Sequence, residues 1–429
     1  MTGTELRRAA MAMIDAELDH AVADLSRMVA VDTTFPPGAG YADFAALMEG
    51  LLADLPMTTA RVSVPEELWR VARGPARGER VNLIADTAGS GPVCSLYFHV
   101  DTVCAALGWT TDPFTLTETD GKLVGLGAAD MKGAVAAAVH ALRVAQKLDV
   151  PLTYRPQLLL CTDEEGGLYP GIRYLAEQGL IGGHLLNFNG SAGPRIWGGC
   201  FGSFNLQVTV TGFAAHAADR SKQGVNAIEA ALPMMQAIQV LRPVVTTRTS
   251  ALPVPPGAAP LAAQIAVTVA EGGTCGGQVP DRFTFLVSRR YAPEEDFATA
   301  RAEIEAVIRA ACPAGATLEF DLIGHLIPTA DPEGPHTARW IRAVQEGFGY
   351  APGDFVKYAA ASASDSGYVQ RAGVLQEINL GGLIRPESNA HGAQEHTTRA
   401  DLAALAKTIL SYLASDFAPE LNPDLNPDR

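Results

Sequence analysis

The sequence predicts an α/β protein in which a mostly parallel sheet, flanked by helices, is interrupted by an inserted α+β unit. Three observations predict it. Short apolar runs alternate with helical segments over the first part of the chain, the rhythm of βαβ units. Near Phe201 the pattern changes to strands of period two. A helix, an apolar strand and a further helix then close the chain.

Taken in order, Glu5 to Val29 carries apolar residues at helical spacing, and Gly40 to Leu55 is a second helix with Ala45, Ala46, Leu47, Leu51 and Leu52 as its buried stripe. Val81 to Ala85 is a strand. Val93 to Val100 is almost continuously apolar, as expected of a strand buried on both faces. Gly133 to Leu148 is an Ala-rich helix, and Gln157 to Cys161 another buried strand. Phe204 to Val210 alternates as a half-buried strand, and a helix follows from Val225 to Leu241. A Pro/Ala-rich loop spans Ala251 to Ala259. Strands at Gln264 to Val269 and Arg282 to Ser288, a helix at Pro293 to Ala311 and a strand at Thr317 to Ile323 complete a βαββαβ order, the ferredoxin-like pattern. A helix at His336 to Phe348, a strand at Val374 to Leu380 and a helix at Arg399 to Phe417 return to the first unit, and the tail after Ala418 is expected to fray. The expected division is 1–202 with 325–429 as one discontinuous domain and 203–324 as the insertion.

Composition narrows the function. The apolar fraction of 48% suffices for a large core, and the net charge of −15 argues against a nucleic-acid partner. Basic residues are scattered, so no polybasic membrane patch appears. Six cysteines with no C-x-x-C pair do not form a disulfide framework, and buried free thiols are expected. Met1 to Met28 lacks the apolar core of a signal peptide, and no run is long enough to span a bilayer. A cytoplasmic protein acting on a small molecule is the expectation.

The chemistry concentrates in four short segments. Leu126 to Gly133 places Asp130 between glycines, in tight backbone, although a lone Asp there also suits a helix N-cap. His99 leaves the run Leu96-Tyr97-Phe98 near a strand end, and Asp101 can accept a hydrogen bond from its free ring nitrogen. Alone, that pair reads as readily as a structural histidine. Glu164 and Glu165 follow an apolar strand and precede Gly166-Gly167. One can hold a cation while its neighbour takes a proton from activated water. Asn389 to His396 supplies a further imidazole in His391, with His396 read as solvated. In open α/β sheets ligands bind at the carboxyl ends of strands, where these groups fall. Carboxylates and imidazoles together suit manganese, zinc or cobalt, as one or two ions.

These pieces, in this order, resemble the metallohydrolase family of aminoacylase, acetylornithine deacetylase, succinyl-diaminopimelate desuccinylase and glutamate carboxypeptidase, from His99 to the last helix. The resemblance implies that His99 is a ligand of the first metal with Asp101 orienting it, and that Asp130 bridges, in a family where the following peptide is often cis. It implies Glu164 as general base, and Glu165 and His391 as ligands of the second metal. Gly212 to His216 matches the segment of a lid and dimerisation domain whose His, here His216, reaches the substrate's oxyanion, often from a partner subunit. A homodimer through that lid is therefore expected. Val279-Pro280-Asp281 with Arg289 and Arg290 matches the stretch whose Arg grips the substrate carboxylate, and either arginine fits.

The sequence departs from the family at three points. Asn189 stands where an acidic residue usually completes the first metal site, and a neutral amide is a poor zinc ligand. Gly277 replaces an Asn that helps bind the substrate carboxylate, and Leu126 replaces a common Arg. These changes point to a specialised hydrolase of a C–N bond with a single catalytic metal. The specific expectation is an aromatic aminohydrolase of the nitroanthranilate type, with His325 and Arg385 facing its pocket, although each alone also reads as a surface or structural side chain. The alternative is a dinuclear amidohydrolase or carboxypeptidase acting on N-acyl amino acids or small peptides. A non-catalytic binding relative is the third reading, and the intact Glu164 argues against it.

Overall fold

The computed structural model describes residues 3–217, 224–373 and 377–415. Helices α1 (Gly3–Ala16), α2 (Leu18–Val29) and α3 (Tyr41–Leu51) come first, then β1 (Met57–Ser63), the single turn α4 (Glu66–Trp69), β2 (Val81–Thr87), β3 (Val93–His99) and a hairpin of β4 (Thr117–Thr119) and β5 (Lys122–Val124). α5 (Lys132–Lys147), β6 (Arg155–Cys161), α6 (Gly171–Glu177) and β7 (His184–Asn187) follow. The insertion comprises β8 (Arg195–Thr211), α7 (Ala227–Val245), β9 (Gln264–Gly272), β10 (Arg282–Tyr291), α8 (Phe297–Ala310) and β11 (Thr317–Leu326). The chain returns through α9 (Thr337–Phe348), β12 (Val356–Ala363), α10 (Ser366–Arg371), β13 (Ile378–Leu380), β14 (His396–Thr398) and α11 (Arg399–Leu413).

The first sheet runs β1-β2-β6-β3-β7-β13. β6, β3, β7 and β13 are parallel neighbours, and β2 runs against both β1 and β6. Alternate residues of the central strands enter two cores. Leu96, Phe98, Leu158 and Leu160 pack with α1, α2, α5 and α11, whereas Tyr97, Leu159 and Cys161 pack with α6 and Trp197. A sheet covered on both faces needs continuous apolar strands, and the sequence of β3 and β6 supplies them.

The second sheet runs β11-β8-β10-β9, all antiparallel, with its core closed by α7 and α8. This is the spatial order of the predicted βαββαβ pattern. β8 is longer than the seven alternating residues suggest: its first half pairs in parallel with β12, and its second half enters the insertion.

Several boundaries shift. The expected helix from Glu5 to Val29 is interrupted at Glu17, yet its stripe of Ala10, Ile14, Leu18, Ala21 and Leu25 stays buried through the break. The helix expected from Pro293 starts at Phe297, because the Asp296 carboxylate caps it by accepting from Thr299 N at 2.8 Å. The strand expected from Val374 starts at Ile378, and Val374 itself, the end of the last predicted helix at Phe417 and the tail lie outside the described residues. β1, β12 and the small β14-β5-β4 sheet were not expected; β1 alternates half-buried and exposed residues and lacks a continuous apolar run. Among the described residues no helix is long and apolar enough to cross a membrane. Cys94, Cys161 and Cys200 are buried free thiols, while Cys104 and Cys275 are exposed.

Candidate metal centre and substrate cavity

The carboxyl ends of β3, β6 and β7 lie side by side, with His99 opposite Cys161 and Tyr97 opposite Asn187. His99 ends β3. Glu164 and Glu165 lie in the turn after β6, and Asn189 lies just beyond β7. Asp130 precedes α5, whose N-cap is Met131 rather than Asp130. The backbone there is as tight as the glycines imply: a Cβ on Gly133 would meet Ala128 O at 2.2 Å. The Asp130–Met131 peptide is cis.

Asp130 holds the centre of the constellation. Its Oδ1 lies 3.0 Å from His99 Nε2 and its Oδ2 lies 3.3 Å from His391 Nε2, so each carboxylate oxygen faces one imidazole. Glu165 Oε1 lies 3.0 Å from the same nitrogen of His391, yet has no partner of hydrogen-bond geometry. Ligand atoms of His99, Asp130 and Glu165 fall within 4.8 Å of one another. Glu164 is buried, and burial pushes its carboxyl well above the usual range. The facing carboxylates, Asp130 before Glu165, hold the His391 imidazole up at about 11. Buried acceptors here outnumber donors: Oε1 of Glu164, Oε1 of Glu165 and Oδ1 of Asp101 all lack hydrogen bonds among the described residues. An unpaired Glu165 oxygen beside His391, with the Asp130 carboxylate between the two imidazoles, fits a divalent cation.

Asp101 orients His99 differently from the expectation. Its backbone oxygen lies 2.9 Å from Nδ1, while its carboxylate is 3.8 Å away and accepts instead from Glu165 N at 2.8 Å. The side chain therefore fixes the Glu164–Glu165 turn, and its main chain fixes the histidine.

A cavity of about 480 Å³ opens beside the centre, lined by Asp130, Glu164, Glu165, Asn189, Arg290 and His391 among others. Of the two candidate arginines only Arg290 reaches it. Successive residues of β10 point to opposite faces, so Arg289 enters the core with Val287 and pairs with Glu295. His325 is likewise displaced: it stacks on Phe297 at 4.0 Å, contacts Tyr291 Oη and lines a separate cavity. Arg385 is held by both oxygens of Asp401 at 2.7 Å and does not line the substrate cavity. His216 forms a bridge with Gln278 in the insertion and is not among the lining residues. His396 is buried in β14 rather than solvated.

Sequence reasoning missed Glu395, whose Oε1 accepts from the backbone of Ala129 at 3.0 Å and Asp130 at 2.9 Å. In the sequence it is one acid in Gln394-Glu395-His396, and its burial beside β14 shows only in the fold. It also missed Arg195, Trp197 and Tyr358 in the cavity wall.

A family model described as peptidase family M20/M25/M40 matches residues 95–415. The chain belongs to this family. Acetylornithine deacetylase of Proteus mirabilis (strain HI4320) is 36% identical to this M20 chain over 179 residues, 41% of this chain and 44% of that protein, so the match spans less than half of either. Human carnosine dipeptidase 1 superposes with a TM-score of 0.77 at 17% identity, covering 95% of this chain and 98% of that one. The dipeptidase Dug1p of Saccharomyces cerevisiae gives 0.78 at 14% identity, covering 96% and 98%. The YXEP protein of Bacillus subtilis, described as a dinuclear metal-binding peptidase of the M20 family, gives 0.56 at 15% identity, covering 94% and 98%. At these identities the structural likeness establishes the fold: an M20 catalytic domain with an inserted lid.

Proposed function

We propose that this M20 chain hydrolyses a C–N bond in a small carboxylate-bearing molecule. The observation that carries the reading is Asp130, with one oxygen toward His99 and the other toward His391. Asp130, Glu165 and His391 would hold one divalent ion; His99 and Asp130 offer a second half-site, where Asn189 adds no charge. One tightly held manganese, zinc or cobalt ion is the stoichiometry this supports. When bound, the ion acidifies water and polarises the bond under attack. Glu164 takes the proton of the attacking water as the oxygen bonds to carbon, and returns it to the nitrogen that departs with the C–N electron pair. Arg290 takes the substrate carboxylate in its fork. His216 would complete the site by approaching from a partner subunit.

The identity to an acetylornithine deacetylase supports an amide, an N-acyl amino acid, as the first substrate class. A second reading, an aromatic aminohydrolase of nitroanthranilate type, is favoured by the aromatic wall of Trp197 and Tyr358 and by the neutral Asn189. Metal content per chain, measured together with turnover of N-acetyl amino acids and of nitroanthranilate, separates the two. Two tightly held ions with rapid deacylation supports the amide alone. Neither substrate class being turned over by the metal-loaded protein would overturn the proposal.

Homodimerisation through the lid is part of this reading. β9 is an edge strand with most of its residues exposed, and α7 beside it exposes Leu232, Val240 and Val244. An unpaired edge next to an apolar stripe is a natural pairing surface.

A further inference from the structure

Two arginines line the substrate cavity, and neither has an ion-pair partner among the described residues. Arg290 is the first, placed above for the substrate carboxylate. Arg195 is the second, and no motif in the sequence singles it out. It opens β8, whereas Arg290 pairs across the sheet with Ser203 of the same strand, so Cys200 lies between the two positions on the cavity wall.

Arg195 is held by an aromatic neighbour rather than by an acid. Its Nη1 donates to Tyr358 Oη at 2.8 Å, and its guanidinium carbon lies 4.5 Å from the centre of the Tyr358 ring. The parallel pairing of β8 with β12 sets this contact, since Tyr358 stands opposite Trp197. Trp197 follows two residues after Arg195, on the same face of the strand, and lines the cavity with Ser191 and Leu380. A guanidinium anchored by one neutral hydroxyl keeps most of its donors for an incoming oxygen pair, and its planar fork matches a carboxylate. Asp130, Glu164 and Glu165 line the same cavity, but Asp130 and Glu165 face His391 at the candidate metal centre, and burial disfavours charge on Glu164.

Building on the C–N hydrolase reading, we propose that Arg195 and Tyr358 form a second anion subsite, and that the substrate is a dicarboxylate: one carboxylate on Arg290, the other on Arg195, with Trp197 beside the stem that joins them. The two arginines then act as a ruler, selecting for the separation of two anionic groups.

Calorimetric binding to the metal-loaded protein tests this without turnover. The probes are the linear α,ω-dicarboxylates from succinate to suberate, each compared with the monocarboxylate of equal carbon number. At least one dicarboxylate should bind about tenfold more tightly than its monocarboxylate. Arg195→Gln should remove that advantage and leave monocarboxylate affinity unchanged; Tyr358→Phe should reduce it; Arg290→Gln should weaken both ligands. Equal affinities throughout the series, no measurable dicarboxylate binding, or an advantage that survives Arg195→Gln would overturn the subsite. Dicarboxylate selectivity in a protein that hydrolyses no C–N bond would overturn the catalytic reading and leave the subsite standing.

Discussion

Arg80 and Asp163 form an ion pair sealed from solvent, Arg80 Nε donating to Asp163 Oδ2 at 2.7 Å. The pair is fixed from every side. Tyr41 Oη donates to the other carboxylate oxygen at 2.9 Å, and the Arg80 guanidinium lies 4.1 Å from the centre of the Trp69 ring. Asp163 has a φ of 65° and immediately precedes Glu164 and Glu165. A left-handed Asp is uncommon, and here it sets the entry into the Glu164–Glu165 turn. Removing one partner of a buried pair costs about 3–5 kcal/mol. Arg80→Met should therefore lower the unfolding free energy by that order and weaken metal binding, both read on one sample by denaturant titration and metal analysis. Unchanged metal affinity would show that the turn holds its shape without the pair.

Glu164→Gln separates binding from chemistry. Turnover should fall by about 10²–10⁴-fold, the range for a general base, while metal content stays at the wild-type value. His391→Ala should lose the metal. If Glu164→Gln retained full turnover, Glu164 would not be the base.

Arg289 and Arg290 should separate cleanly despite being adjacent. Arg290→Gln should raise KM for a carboxylate-bearing substrate by about tenfold or more, as expected for a lost charge-assisted pair, with little change in Tm. Arg289→Gln should do the reverse, because it removes the fully buried cation of a cluster in which Glu295 also pairs with Arg248. Steady-state kinetics and thermal melts on both variants check this.

Val240→Glu, on the exposed stripe of α7, should convert a dimer to a monomer in sedimentation equilibrium. A wild-type protein that is already monomeric at micromolar concentration would remove the lid pairing.

His325 gives the protein an acid-sensitive element whose ring lines a separate cavity, while its backbone N donates to Gly167 O at the end of the Glu164–Glu165 turn. Burial, with Arg173 and Arg371 nearby, lowers its pKa to about 4. The unfolded state, titrating at about 6.5, binds more protons between those values. Stability from His325 is thus complete above about pH 6.5 and is lost as pH falls toward 4. His325→Gln should lose less Tm between pH 7 and pH 4.5 than wild type does.

Much of this site was legible in the sequence because its residues sit at strand ends, and strands buried on both faces announce themselves by composition. Ligand atoms of His99, Asp130 and Glu165 lie within 4.8 Å of one another and His391 faces Asp130 and Glu165, a grouping that the family resemblance implied and that the strand ends alone left open. Arg289, His325 and Arg385 went the other way for a common reason: each has an acidic or aromatic neighbour, in Glu295, Phe297 and Asp401, that only the fold brings near. A single sequence shows that an arginine exists but not what satisfies it. Tyr358 was invisible because β12 owes its place to pairing with β8 rather than to an apolar pattern of its own.

The passage of β8 from one sheet into the other has a mechanical consequence. Arg195 and Trp197 stand on the part of that strand docked against β12, while Ser203 and Asn205 stand on the part paired with β11 and β10. One continuous backbone therefore carries both the rim and the roof of the chamber. Any tilt of the insertion against the first sheet would therefore alter the chamber's dimensions, and with them the spacing between Arg195 on β8 and Arg290 on β10.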